Sequence, residues 1–190
     1  IITLLALRHI TPIFAYGLTL VFSLLAFGAI VLIKGKFREF FLWSAYRDLL
    51  KTALFMSMMF ACLYTGLTYT SAGNMAVLIF LQFFFSFLYF NLLGSENFST
   101  LHLVGALLMA GGAITILFPE ELVFNKGDLL ILLGAAIAPI ANLYQKRARK
   151  QVSSETVLAF RTLVALPVLF GLAAMLEPVP EPHQVLNALP

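Results

Sequence analysis

The sequence predicts an all-α fold, a polytopic helical membrane bundle, on three observations. Hydrophobic residues fill 61% of the 190 positions and charged residues 11%, whereas soluble domains carry about a quarter charged residues and about half apolar ones. The apolar residues fall in uncharged runs of the length that crosses the hydrocarbon core of a bilayer, about 20 residues. The breaks between those runs collect the charges, the prolines and the small polar residues.

The elements follow in chain order. Residues 1–7 are apolar and end at Arg8 and His9, which predicts the tail of a first span. With no initiator methionine and no basic leader, the chain reads as a fragment. Residues 12–33 carry no charge and are closed by Lys34, Lys36 and Arg38, one full span. Residues 37–51 interleave Phe40, Phe41, Trp43 and Tyr46 with Arg38, Arg47 and Asp48, a pattern that predicts a helix lying in the membrane interface as an anchor. Residues 52–95 are uncharged over twice the length of one helix, and the cluster Thr70, Ser71, Ala72, Gly73 and Asn74 divides them into two spans joined by a tight hairpin. A polar break at 96–99 precedes a span over 100–118, stopped by Pro119, Glu120 and Glu121. A sixth span is expected over 128–144, with Pro139 tolerated inside it, and a seventh over 155–176. The proline-rich 177–190 segment reads as irregular and outside the membrane.

Charge sets the orientation. Cytoplasmic loops retain the excess of Lys and Arg, and one side collects Lys34, Lys36, Arg38, Arg47, Lys51, Lys146, Arg147, Arg149 and Lys150, nine of the twelve basic residues. Loops 34–51 and 146–154 are therefore expected to face the cytoplasm. The formal charge of +3 is small and dispersed between apolar runs, so no nucleic-acid partner is expected. The single cysteine, Cys62, excludes a disulfide framework, and His9, His102 and His183 are too scattered for a metal site. No cofactor is expected, and no GxxxxGK[ST] loop supports nucleotide hydrolysis. Asn97, Phe98 and Ser99 form a sequon on a loop expected to be cytoplasmic, which makes it a chance match.

Candidate site residues come from polar stripes inside the spans, because polar side chains are costly in hydrocarbon and turn toward the bundle interior or a watery cavity. In the fourth span, Asn74, Gln82, Ser86 and Tyr89 share a sector of about 120° at roughly 100° per residue, with phenylalanines over most of the remainder. This is the first candidate for a cavity wall; the alternative is interhelical hydrogen bonding, worth about 0.6 kcal/mol per bond. The third span offers Ser57, Tyr64, Thr65 and Thr68, and the second Tyr16, Thr19 and Ser23. Hydroxyls can bond their own helix carbonyls, so these rank below the amide of Gln82, whose donors demand a partner. Arg161 is the one charge well inside a span and either attracts an anion or snorkels to the interface. Small faces at Gly134, Ala135, Ala138 and Asn142, and at Gly105, Ala106, Ala110, Gly111 and Gly112, predict close helix packing, with Asn142 able to reach a cavity.

Residues 13–20 (IFAYGLTL) and 157–164 (VLAFRTLV) are alike in character and five spans apart, an odd number that inverts the second copy in the membrane. The order of ITP, GLTYTSAGNMAVL, LLGSENFSTLHLVGALLMAGGAITIL and KGDLLILLGAAIAPIANLYQKRARK along the chain resembles the drug/metabolite transporter superfamily, specifically its EamA-type members. That resemblance implies ten spans in two inverted five-helix repeats. It implies a first repeat over 1–118, a non-cytoplasmic loop at 119–126, the start of a truncated second repeat over 127–176, and a terminal segment at 177–190. It further implies a multi-pass protein of a bacterial inner membrane that carries a small organic metabolite or drug-like solute by alternating access, with the bilayer and that solute as its partners. Oligomeric state is not legible. The chain departs from the pattern at Gln82, where many relatives have proline, at Ala138, where an aromatic is common, and at Gly94, Ser95 and Glu96, which replace a tighter Gly-Glu pair. The competing readings are a non-transporting scaffold and an intramembrane enzyme. The latter needs paired acids or a nucleophile with its base on facing helices, and with neither in the spans of this sequence its active residues would lie in the spans that the resemblance implies are missing, eight to ten.

Overall fold

A computed structural model describes residues 12–92, 100–117 and 125–176. Its helices are α1 (Pro12–Ile33), α2 (Trp43–Leu67), α3 (Ala72–Leu92), α4 (Thr100–Leu117), α5 (Lys126–Ala148) and α6 (Ser154–Leu176), with a 3-10 turn at Phe37–Phe41. They correspond to the second to seventh spans of the sequence. Five of them, all but α4, are long and apolar enough to cross a membrane by length and composition among the described residues, and α4 is apolar over Thr100–Gly112. The partial first span, the break at 93–99 with its sequon, the stop at Pro119 and the 177–190 tail lie outside the described residues.

Local sequence accounts for most boundaries. Pro12 opens α1, where its missing N–H and fixed φ cost nothing. Gly35 takes φ 65°, the left-handed conformation that ends a helix. The α2–α3 hairpin falls at the expected cluster, with the Ser71 Oγ accepting from the Asn74 N–H at 3.1 Å as the N-cap of α3. The expected interfacial helix is corrected. Leu42 is extended (φ −70°, ψ 101°) and divides the aromatic segment, and from Trp43 onward the chain is already α2. Nothing between Trp43 and Thr52 breaks a helix. At about 1.5 Å per residue, 25 residues exceed a hydrocarbon core of about 30 Å, and the surplus first turns carry Arg47, Asp48 and Lys51.

The chain divides into two compact units, Ile1–Ser57 with Ala141–Pro190, and Met58–Ile140. In the first, α1 packs along α6. Phe14, near the start of α1, meets Phe170 edge-on with centroids 5.5 Å apart. At the other end, Lys34 just beyond α1 pairs with Glu155 in the first turn of α6. The two helices therefore run antiparallel. Ala45, Leu49, Ala53, Ala148, Val152, Val157 and Phe160 form a buried cluster among the cytoplasmic-side ends expected from charge.

In the second unit α3 packs on α4, and the end of α2 meets the start of α5 with almost no space between backbones. A Cβ added at Gly66 would lie 2.8 Å from the Gly127 carbonyl oxygen, and one at Gly134 3.1 Å from the Met59 carbonyl oxygen. The start of α5 is fixed by Asp128, 3% exposed. Its Oδ1 accepts from the Thr70 hydroxyl at 2.7 Å, its Oδ2 from the Asn125 N–H at 3.3 Å, and its own N–H donates to Asn125 Oδ1 at 2.8 Å. This reciprocal cap ties α5 to the hairpin. Asp128→Ala is expected to lower the unfolding midpoint in detergent by the equivalent of about 1–2 kcal/mol, and an unchanged midpoint would contradict the cap. In α4, by contrast, an added Cβ at Gly105, Gly111 or Gly112 meets nothing within 4 Å among the described residues. Of the expected small face there, Ala106 is the buried residue.

Candidate functional site

The polar stripe of the fourth span lies on α3, within the second unit. Asn74, Gln82, Ser86 and Tyr89 are all half-buried, and Leu78, 1% exposed, falls inside their sector. Phe80 and Phe83 on the far side are exposed. The polar sector is thus the protein-facing side of a helix whose opposite side is bulky and apolar, the arrangement expected of a span with lipid behind it. Among the described residues neither the Gln82 amide nor the Ser86 hydroxyl makes a hydrogen bond. Tyr64, on the same unit's part of α2, is half-buried and engaged by its surroundings. Further along α3, the Asn91 amide donates to the Phe87 carbonyl at 2.7 Å, while its Oδ1 is buried without a partner among the described residues. The sequence reading passed over Asn91 because it falls outside the polar sector.

The remaining candidates belong to the first unit. Thr19 is exposed and its hydroxyl donates to the Ala15 carbonyl at 3.0 Å, so its own helix satisfies it. Asn142 is exposed on α5. Arg161 is half-buried on α6 and donates from Nη1 to Gln145 Oε1 at 3.4 Å. Next to Gln145 in the chain, the Tyr144 ring stacks on Phe55 at 5.9 Å, with Lys51 Nζ 4.7 Å and the Arg147 guanidinium 5.6 Å from its centroid. Lys51, Arg147 and Arg161 thus gather around two consecutive residues, and among the described residues no carboxylate pairs with them. That end of the unit presents a positive field. Periodicity within one helix could not reveal the Tyr144 cluster, which is assembled from three.

The same end carries a polar latch that was not foreseen. Ser153 is the N-cap of α6, but the residue three positions on is Thr156, not the Glu or Gln of a capping box. The missing carboxylate comes from Glu39 in the 3-10 turn. Its Oε2 accepts from the Ser153 N–H at 2.8 Å, the Ser153 hydroxyl at 2.6 Å and the Thr156 hydroxyl at 2.7 Å. Its negative charge also suits the N-terminal end of the α6 dipole. Lys34 and Lys36 reach Glu155 beside it, and Gln151 donates to Asp48 at 3.4 Å. The two basic loops meet at one end of the unit.

Burial pushes the Glu39 carboxyl up, but the hydrogen bonds from Ser153 and Thr156, with Lys36 nearby, outweigh it and hold its pKa below the ordinary value. A depressed folded-state pKa adds stability that is present above the unfolded value, about 4.3 for Glu, and is lost as pH falls through the folded one. The thermal midpoint is therefore expected to fall below about pH 4–5, and Glu39→Gln to flatten that acid limb. An acid limb identical in the variant would rule Glu39 out as its source.

Helices of this length and composition, with phenylalanine-covered outer faces and a polar inner sector, define an integral multi-pass membrane protein. Residues 1–118 match the model of the EamA-like transporter family, and the chain belongs to that family. Neither curated proteins nor solved structures gave a match.

Proposed function

We propose that the chain acts in a secondary transporter that moves a small organic metabolite or drug-like solute by alternating access, and that it has no catalytic activity of its own. The observation that carries this reading is the α3 sector of Asn74, Gln82, Ser86 and Tyr89, protein-facing and with Gln82 free of hydrogen bonds among the described residues. A scaffold span gains nothing from an unsatisfied amide, whereas a solute-binding wall requires one. Membership of a transporter family and the antiparallel α1–α6 pair support the same reading. The proposed setting is a bacterial inner membrane, with loops 34–51 and 146–154 in the cytoplasm, where the positive field around Tyr144 meets incoming solute. Uptake or efflux in liposomes, screened over amino acids, nucleosides and cationic drugs, tests it. Flux of at least one class above empty liposomes is expected, and none from folded protein would overturn the proposal.

A further inference from the structure

Between the 3-10 turn and the start of α2, the first unit opens an apolar groove of about 420 Å³ lined by Phe40, Phe41, Trp43, Tyr46, Phe160 and Leu163. Its floor is ordered by ring contacts: Phe160 takes Phe40 at 6.1 Å and Tyr46 edge-on at 5.9 Å. Its rims are open. Trp43 is 84% and Phe41 75% exposed, with Trp43 stacked on Tyr46 at 5.9 Å. Aromatic rings of this kind concentrate where acyl chains give way to headgroups, and the segment sits where the hydrocarbon-length part of α2 ends. An acyl chain and its glycerol end suit such a groove.

The charges beside it specify the headgroup. Arg38 lies in the 3-10 turn with Phe40 and Phe41, and Arg47 follows Trp43 by one helical turn. Both are exposed, and neither has a partner among the described residues. Every neighbouring acid is already committed: Glu39 to Ser153 and Thr156, Asp48 to Gln151, Glu155 to Lys34 and Lys36. The segment that forms the rim thus carries two guanidinium groups with no partner among the described residues, groups that suit the oxygens of a phosphodiester. We propose that this groove is a binding site for one anionic phospholipid of the cytoplasmic-side leaflet, its acyl chain against Phe160 and Leu163 and its phosphate between Arg38 and Arg47. The site is separate from the α3 sector and does not depend on what the protein transports.

Trp43, the single tryptophan of the sequence, makes the groove its own probe. The full-length protein is reconstituted in liposomes containing a brominated phosphatidylglycerol or a brominated phosphatidylcholine, and Trp43 fluorescence is taken as the difference from a Trp43→Phe control. Quenching by the anionic lipid is expected to saturate at low mole fraction, at several-fold lower content than for the zwitterionic lipid. Arg38→Gln and Arg47→Gln are each expected to reduce that preference about fivefold. Phe41→Ser, a change at an exposed wall, is expected to weaken the saturable phase while leaving the fold intact by circular dichroism. Equal quenching by both lipids would overturn the proposal, as would a preference that survives the double arginine variant, which would trace it to the general charge of the loops. Absence of quenching by either lipid would also overturn it, since a protein surface would then cover the groove.

Discussion

Gly127→Ala is expected to destabilise the chain by about 3 kcal/mol, the upper end of the range for overpacking, and to be the most damaging glycine-to-alanine change among the described residues. A Cβ there would lie 2.5 Å from the Gly66 carbonyl oxygen, 2.9 Å from the Tyr69 Cβ and 3.0 Å from Asn125 Oδ1. The nearest obstacle is backbone, so no side-chain rotation relieves it, and α5 must move away from the end of α2. That movement strains the neighbouring cap, in which Asp128 holds the Thr70 hydroxyl and Asn125 closes the turn. The energetic logic is that of a membrane bundle. Lipid tails are as apolar as leucine, so helices associate through close packing and hydrogen bonds more than through apolar burial. Where backbones touch, a methyl group removes both. The measurement is the unfolding midpoint in detergent, with Gly105→Ala as its control. Gly105 has nothing within 4 Å of an added Cβ among the described residues, and alanine favours a helix over glycine by about 0.5–1 kcal/mol, so that variant is expected to be neutral or slightly stabilised. Equal effects at the two positions would refute the close-approach argument.

The same glycines mark the limit of what the sequence reveals. Gly105, Gly111 and Gly112 have the spacing of a packing face, whereas no helical spacing singles out Gly66 and Gly127, which sit at helix ends next to turn residues. Among the described residues the close approaches fall at Gly66 and Gly127, because spacing along one helix says which residues share a face and nothing about what meets it. What depends on one segment was legible: the hairpin from Thr70 to Asn74, the proline start of α1, and the protein-facing sector of α3. What depends on two distant segments was not. The capping carboxylate of α6 lies 114 positions before Ser153, and the Tyr144 cluster draws on α2, α5 and α6. Trp43 to Lys51 was misjudged for a different reason. Amphipathic aromatics beside charges fit a separate interfacial helix and the protruding turns of a long span equally well, and the backbone at Leu42, not composition, separates the two.

The second large effect concerns function. Gln82→Leu is expected to cut transport about tenfold to a hundredfold while the unfolding midpoint stays within the equivalent of about 1 kcal/mol, the effect of losing a ligand hydrogen bond of about 1–3 kcal/mol without a structural one. Because the Gln82 amide has no partner among the described residues, its removal strands no other protein group, and leucine is close to glutamine in size and a good helix former. The opposite pattern identifies the opposite role. If Gln82 joins helices, its loss costs about 0.6 kcal/mol of stability and leaves the rate per folded molecule unchanged. Ser86→Ala and Tyr89→Phe extend the test along α3 by removing one polar atom each. A wall that touches solute at several heights predicts that both lower the apparent affinity, Tyr89→Phe without a change in the unfolding midpoint. If rates and affinities are unaffected in all three variants, the solute passes elsewhere and the polar face of α3 serves packing alone.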